Sequence, residues 1–119
     1  LVSDLRRSKE FYGEKLGCEV TDWWVIRDGF SGLALKLLQA ESPEDVRPNK
    51  AGKGSQTACD LYCYTENWKG LDELHRDFTS KDVPIAVQPW IDEANGPWKE
   101  FVIKDPDGYQ IAFGGTDGH

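Results

Sequence analysis

The most constraining feature of this chain is an order of helix-like and strand-like stretches that runs nearly twice. From residue 57 the order is strand, helix, strand, strand, strand. "TACDLYCYT" alternates as a strand does, and "ENWKGLDELHRDFTSKD" places Leu71, Leu74 and Phe78 on one helical side. "VPIAVQPW" reads as a further strand, and "PWKEFVIK" and "YQIAFGG" read as a hairpin across residues 105–108. Pro106 at the second turn position and Gly108 at the fourth suit a type I turn, in which Asp105 and Asp107 serve backbone hydrogen bonding.

The first forty residues repeat this order without its opening strand, which is expected upstream of Leu1. Ser3 or Asp4 can cap a helix in which Leu5, Tyr12 and Leu16 recur at helical spacing before Gly17. "CEVTDWWVIRD", rich in β-branched and aromatic residues, reads as strand with a short hairpin within "TDWWVIRDG", "GFSG" as a turn, and "LALKLLQ" as a strand with Leu33, Leu35 and Leu37 on one face. Polar residues rich in Pro and Gly divide the halves. The expected organisation is therefore a first module over residues 1–40, a linker over 41–56 and a second module over 57–119. At 119 residues the two share one structural domain.

Composition narrows the partners. The net charge of −7 repels phosphate backbones, so nucleic acid is not expected, and such a field favours cationic ligands. No apolar run is long enough to cross a bilayer, so no membrane is expected. Cys59 and Cys63, on one extended strand, would lie roughly 13 Å apart and cannot bridge each other. With Cys18 they make three, an odd number without paired zinc spacing. They read as small core residues in a reducing cytoplasm. "AGKGS" lacks the spacing of a phosphate loop, His75 reads as a solvated helix residue, and no Ser, His and Asp are ordered as a triad.

"VSDLRRSKEFYGEKLG" and "EFVIKDPDGYQIAF", one towards each end of the chain, together resemble the vicinal oxygen chelate superfamily, the glyoxalase, bleomycin-resistance and extradiol dioxygenase group. The resemblance implies an α+β fold in which two βαβββ modules form a U-shaped mixed sheet. Helices lie outside, a ligand cavity lies inside, and the assembly is commonly a homodimer. The scaffold hosts lyases, dioxygenases, epimerases and drug-sequestering proteins, so fold alone does not decide function.

In metal-dependent relatives one ligand stands on the first strand and one on the fourth strand of each module, usually His and Glu. The resemblance carries these positions here to Lys36, Asp60 and Ala112, with the fourth upstream of Leu1. Strand alternation turns Lys36, Asp60, Tyr62, Tyr64, Gln110 and Ala112 into the cavity, and leaves Tyr109, Ile111 and Phe113 on the core face. A protonated lysine has no lone pair for a metal and alanine no ligand atom. No cofactor is therefore expected, and a divalent metal is disfavoured by Lys36 and Ala112. Lys36 and Asp60 could instead form an ion pair in its place.

Trp24, Trp90 and Trp98 lie in or beside expected strands, and with Tyr62 and Tyr64 they suit a flat aromatic or cationic ligand. The sequence thus reads as a metal-independent small-molecule binding protein, comparable to the drug-sequestering branch. The alternative is a glyoxalase-like lyase or dioxygenase using a divalent metal.

Overall fold

The second half builds its sheet around one helix. The computed structural model describes residues 1–20, 25–26, 35–48, 59–93 and 97–117. β3 (Leu61–Tyr64) lies parallel to β6 (Gln110–Gly115), which pairs antiparallel with β5 (Trp98–Lys104), which pairs antiparallel with β4 (Ile85–Asp92). The order is β3-β6-β5-β4, the mixed sheet expected of a βαβββ module. Pro89 falls where the β4–β5 register shifts, on an edge strand that can spare its missing N–H.

α2 (Trp68–Ser80) makes the crossover from β3 to β4. Asn67 caps it, its side-chain oxygen accepting from Gly70 N at 2.8 Å. Leu71, Leu74 and Phe78 are buried along one side, as their spacing predicts. The helix ends in a Schellman arrangement: Val83 N donates to Phe78 O and Asp82 N to Thr79 O. Asp82 takes the left-handed conformation there, at φ 59°, a place that favours glycine.

Beneath α2, Cys63, Phe101, Ile103, Ile111 and Phe113 point from the sheet into a common core. Phe101 and Phe113 stack at 5.4 Å, and Phe78 meets both rings edge-on. Tyr109, expected on this face, leaves the core; its hydroxyl donates to the Leu1 carbonyl.

The first half repeats the design at its start. α1 (Leu5–Glu10) is capped by Asp4, whose Oδ1 accepts from Arg7 N at 3.1 Å. It widens into a π-helical turn over Phe11–Lys15, and Gly17 at φ 70° ends it. Ser8, Phe11, Tyr12 and Leu16 are buried, whereas Leu5 is only half-buried. "CEVTDWWVIRD" supplies two short strands, β1 (Glu19–Val20) pairing antiparallel with β2 (Val25–Ile26). Registering Val20 against Val25 folds the stretch back on itself. The "GFSG" turn and Leu33 lie outside the described residues. Leu35 and Leu37 pack against the core. Of the expected linker, residues 41–48 are described, including a 3₁₀ turn over Pro43–Asp45.

A parallel bridge joins Val2 to Gln39, with Val2 N donating to Leu38 O at 2.9 Å. Thr65 N donates to Gly114 O at 2.8 Å in the same way. Val2 stands two residues before the Asp4 cap and Thr65 two before the Asn67 cap, so these two bonds occupy equivalent places in the halves. Leu38 then corresponds to Gly114, and Lys36 to Ala112.

The two halves are latched through the 105–108 turn. Gly108 N donates to Asp105 O at 3.0 Å, closing the turn, and Gly108 adopts φ 87°. Asp105 Oδ1 accepts from Asp107 N and Tyr109 N, each at 2.9 Å, while Oδ2 accepts from the buried Tyr12 hydroxyl at 3.1 Å. Arg7 Nη2 donates to Asp107 Oδ1 at 3.1 Å, and Ser3 donates to the same carboxylate. The two sequence stretches that carry the family resemblance therefore touch each other. Among the described residues no helix is long and apolar enough to cross a membrane.

Candidate functional site

The sheet face turned away from α2 carries the polar and aromatic residues. Its rows follow from the register: Tyr62 lies beside Ala112, which faces Val102, and Tyr64 beside Gly114, which faces Glu100 and then Trp90. Strand alternation puts these residues on one side because their neighbours Cys63, Phe101, Ile111 and Phe113 are committed to the core.

Three rings cluster here. Tyr62 and Tyr64 stand 5.3 Å apart, Tyr64 meets Trp98 edge-on at 5.8 Å, and Tyr62 lies 6.5 Å from Trp98. Trp98 Nε1 donates to the Tyr62 hydroxyl oxygen at 2.6 Å, and the Tyr62 hydroxyl donates in turn to Glu100 Oε2. Burial, followed by the Glu100 hydrogen bond, holds the Tyr62 phenol well above its ordinary range, with the Trp98 donor opposing. The phenol thus stays protonated, and the chain of donors runs one way, from indole to phenol to carboxylate.

Gly114 makes room for this meeting. A β-carbon at that position would collide with the Tyr62 oxygen and sit 2.6 Å from Trp98 Nε1. Glu100, absent from the expected site, is 5% exposed at the centre of the face. Its alternation with Trp98 in "PWKEFVIK" was the signal available in the sequence.

The expected site residues fare differently. Tyr62, Trp98, Trp90 and Ala112 share this face, and Tyr64, 68% exposed, marks where it opens. Ala112 and Val102 are covered, each 1% exposed. Gln110 is half-buried at the start of β6, and its backbone N donates to Asp60 Oδ2 at 2.8 Å. Asp60 thus binds its own neighbouring strand. Lys36 is exposed, so a pair between it and Asp60 would not be a buried one. Trp24 and His119 lie outside the described residues. His75, expected to be solvated, is half-buried, its ring edge-on to Phe101 at 5.2 Å and its Nε2 3.3 Å from Gln88 Oε1.

The donor set does not fit a metal. Ala112 presents a covered methyl group, its counterpart Lys36 an ammonium, and the Asp60 carboxylate already accepts a backbone N–H. Among the described residues no three His, Cys, Asp or Glu side chains come together as a metal site. Burial pushes the Cys63 thiol up to about 11, as befits a core residue rather than a nucleophile.

Residues 1–113 match the family model described as Glyoxalase/Bleomycin resistance protein/Dioxygenase superfamily. A solved structure titled glyoxalase/bleomycin resistance protein/dioxygenase, from Alicyclobacillus acidocaldarius, is 19% identical, with 96% of this chain and 84% of that one covered and a TM-score of 0.70. A virulence protein from Salmonella typhimurium is 23% identical over 97% of this chain and 90% of its own, with a TM-score of 0.67. A lactoylglutathione lyase from Agrobacterium tumefaciens is 17% identical over 96% and 86%, with a TM-score of 0.62. At these identities the likeness is one of fold. Among curated proteins there is no match.

Proposed function

The chain belongs to the glyoxalase/bleomycin resistance protein/dioxygenase superfamily, and from that premise we propose that it is a metal-independent binding protein for small aromatic or cationic molecules. One observation carries the reading: Tyr62, Tyr64 and Trp98 cluster around a buried carboxylate, Glu100, on the helix-free face. Aromatic faces attract a flat ring by stacking and a cation through their quadrupole, by about 0.5–2 kcal/mol per contact. The Glu100 carboxylate and the net charge of −7 favour the same ligands. The metal-dependent lyase or dioxygenase alternative needs donors that Ala112 and Lys36 do not supply.

Mechanistically the protein captures its ligand stoichiometrically. The exposed Tyr64 ring receives it, Trp98 and Tyr62 flank it, and the Trp98–Tyr62–Glu100 chain holds those side chains in place beforehand, which lowers the ordering cost of binding. Tryptophan quenching by N-methylquinolinium, in buffer containing a chelator, tests this. Saturable quenching that weakens about tenfold in Trp98→Leu is expected. Quenching that saturates only after a divalent metal is added would contradict the proposal.

A further inference from the structure

Two polar groups on this face have hydrogen-bonding capacity to spare. Tyr62 donates to Glu100 Oε2, but among the described residues Glu100 Oε1 accepts no hydrogen bond. Trp90 Nε1 is buried and, among the described residues, has no acceptor. An unmet buried N–H is unfavourable enough that native proteins rarely leave one without a reason.

The two residues are neighbours. Trp90 stands opposite Glu100 in the β4–β5 register, a pairing that brings β-carbons to about 4.5–5.5 Å on one face. The two side chains thus rise from paired positions on one face, which also carries Tyr62 and Trp98, and the Trp90 N–H does not bond the Glu100 carboxylate. The Tyr62 hydroxyl is already engaged by Trp98 and Glu100. A molecule with a matching donor beside an acceptor would answer both.

We propose that this face, read as above as a ligand site, selects planar aromatic molecules that carry an N–H donor adjacent to an acceptor atom, as in a fused-ring lactam or a 2-amino-N-heterocycle. The ligand N–H donates to Glu100 Oε1, its acceptor receives the Trp90 indole N–H, and its ring lies against Tyr62 and Trp98. A hydrogen bond from a ligand N–H to a carboxylate is stronger than one between neutral groups, so an analogue lacking the N–H binds less tightly, and a ligand lacking the acceptor leaves the Trp90 N–H unpaired. Selectivity therefore resides in Glu100 and Trp90, while the rings supply general affinity.

The test compares quinolin-2(1H)-one with its 1-methyl derivative, which keeps ring and carbonyl but loses the N–H, on the isotope-labelled full chain. The indole N–H signals of Trp90 and Trp98 are followed by two-dimensional NMR and assigned with Trp90→Phe. The parent lactam should shift both signals and bind about tenfold or more tightly than the methyl derivative. Glu100→Gln should weaken the parent by a larger factor than the methyl derivative, because only the parent donates to this side chain. Equal affinities, with Trp98 shifting and Trp90 still, would overturn the donor–acceptor selection and leave the aromatic site standing. If neither compound moves Trp98, the site itself is wrong and this inference falls with it. Because the ligand pair is compared on the unaltered chain, a variant that fails to fold does not decide the matter.

Discussion

Replacing Tyr12 with Phe should destabilise the fold by about 2 kcal/mol at neutral pH. The Tyr12 hydroxyl donates to Asp105 Oδ2 at 3.1 Å, and both residues are buried, so water does not replace the lost donor. Hydrogen bonds to charged groups contribute roughly 1.5–3 kcal/mol. The backbone donors of Asp107 and Tyr109 stay on Oδ1, which keeps the loss near the middle of that range. The effect also depends on pH. Burial raises the Asp105 carboxyl above its ordinary range, and the hydrogen bonds from Tyr109, Tyr12 and Asp107 oppose that rise. Folded protein therefore holds the Asp105 proton more readily than unfolded chain does. The contribution of this group is most favourable below the unfolded-state pKa and is lost as pH rises through the folded-state one. Tyr12→Phe removes one opposing hydrogen bond, so the folded pKa climbs further and ionised Asp105 becomes costlier. The deficit should be full at neutral pH and shrink as the pH falls towards the ordinary carboxyl range. Urea unfolding followed by far-UV circular dichroism at the two ends of that window measures it. A loss below about 0.5 kcal/mol, or one unchanged with pH, would refute the latch as described.

Asp82→Gly should stabilise by about 1 kcal/mol, since glycine takes the left-handed position closing α2 without a steric penalty; a drop in melting temperature would contradict this. Ser8 is fully buried and its Oγ has no hydrogen-bond partner among the described residues, so Ser8→Ala should be neutral or stabilising by up to about 1 kcal/mol. A clear loss in thermal unfolding would reveal a partner for that hydroxyl. Gly114→Ala should cost about 1–3 kcal/mol and separate Tyr62 from Trp98, weakening N-methylquinolinium quenching; unchanged affinity would place the ligand elsewhere.

Much of the fold was legible because single-face periodicity survives without tertiary context. Leu71, Leu74 and Phe78 announce α2, the Asp-Pro-Asp-Gly turn announces the β5–β6 hairpin, and the alternation around Tyr62 and Tyr64 separates core from site. The register of the β1–β2 reversal was not legible because "CEVTDWWVIRD" contains neither Gly nor Pro to fix its turn. Tyr109 fits the alternation of its strand, yet its hydroxyl finds the Leu1 carbonyl, a long-range contact no local pattern encodes.

The site was half legible for a related reason. Aromatic residues stand out by type, whereas Glu100 looks like any solvated strand carboxylate until the register sets it between Gly114 and Trp90. The latch shows the same limit at larger scale. Asp105 and Asp107 suffice to make a turn, and only the folded chain brings Tyr12, Arg7 and Ser3 against them.

The central claim is capture of an organic ligand without a metal. Elemental analysis of the protein, purified without chelator or metal-binding tag and then reloaded with zinc, nickel, manganese and ferrous iron, tests it most directly when each sample is also titrated with N-methylquinolinium. The account predicts no stoichiometric ion and one dissociation constant throughout. A tightly held equivalent of any of these metals, with binding that depends on it, would contradict the account and return Lys36 and Ala112 to question.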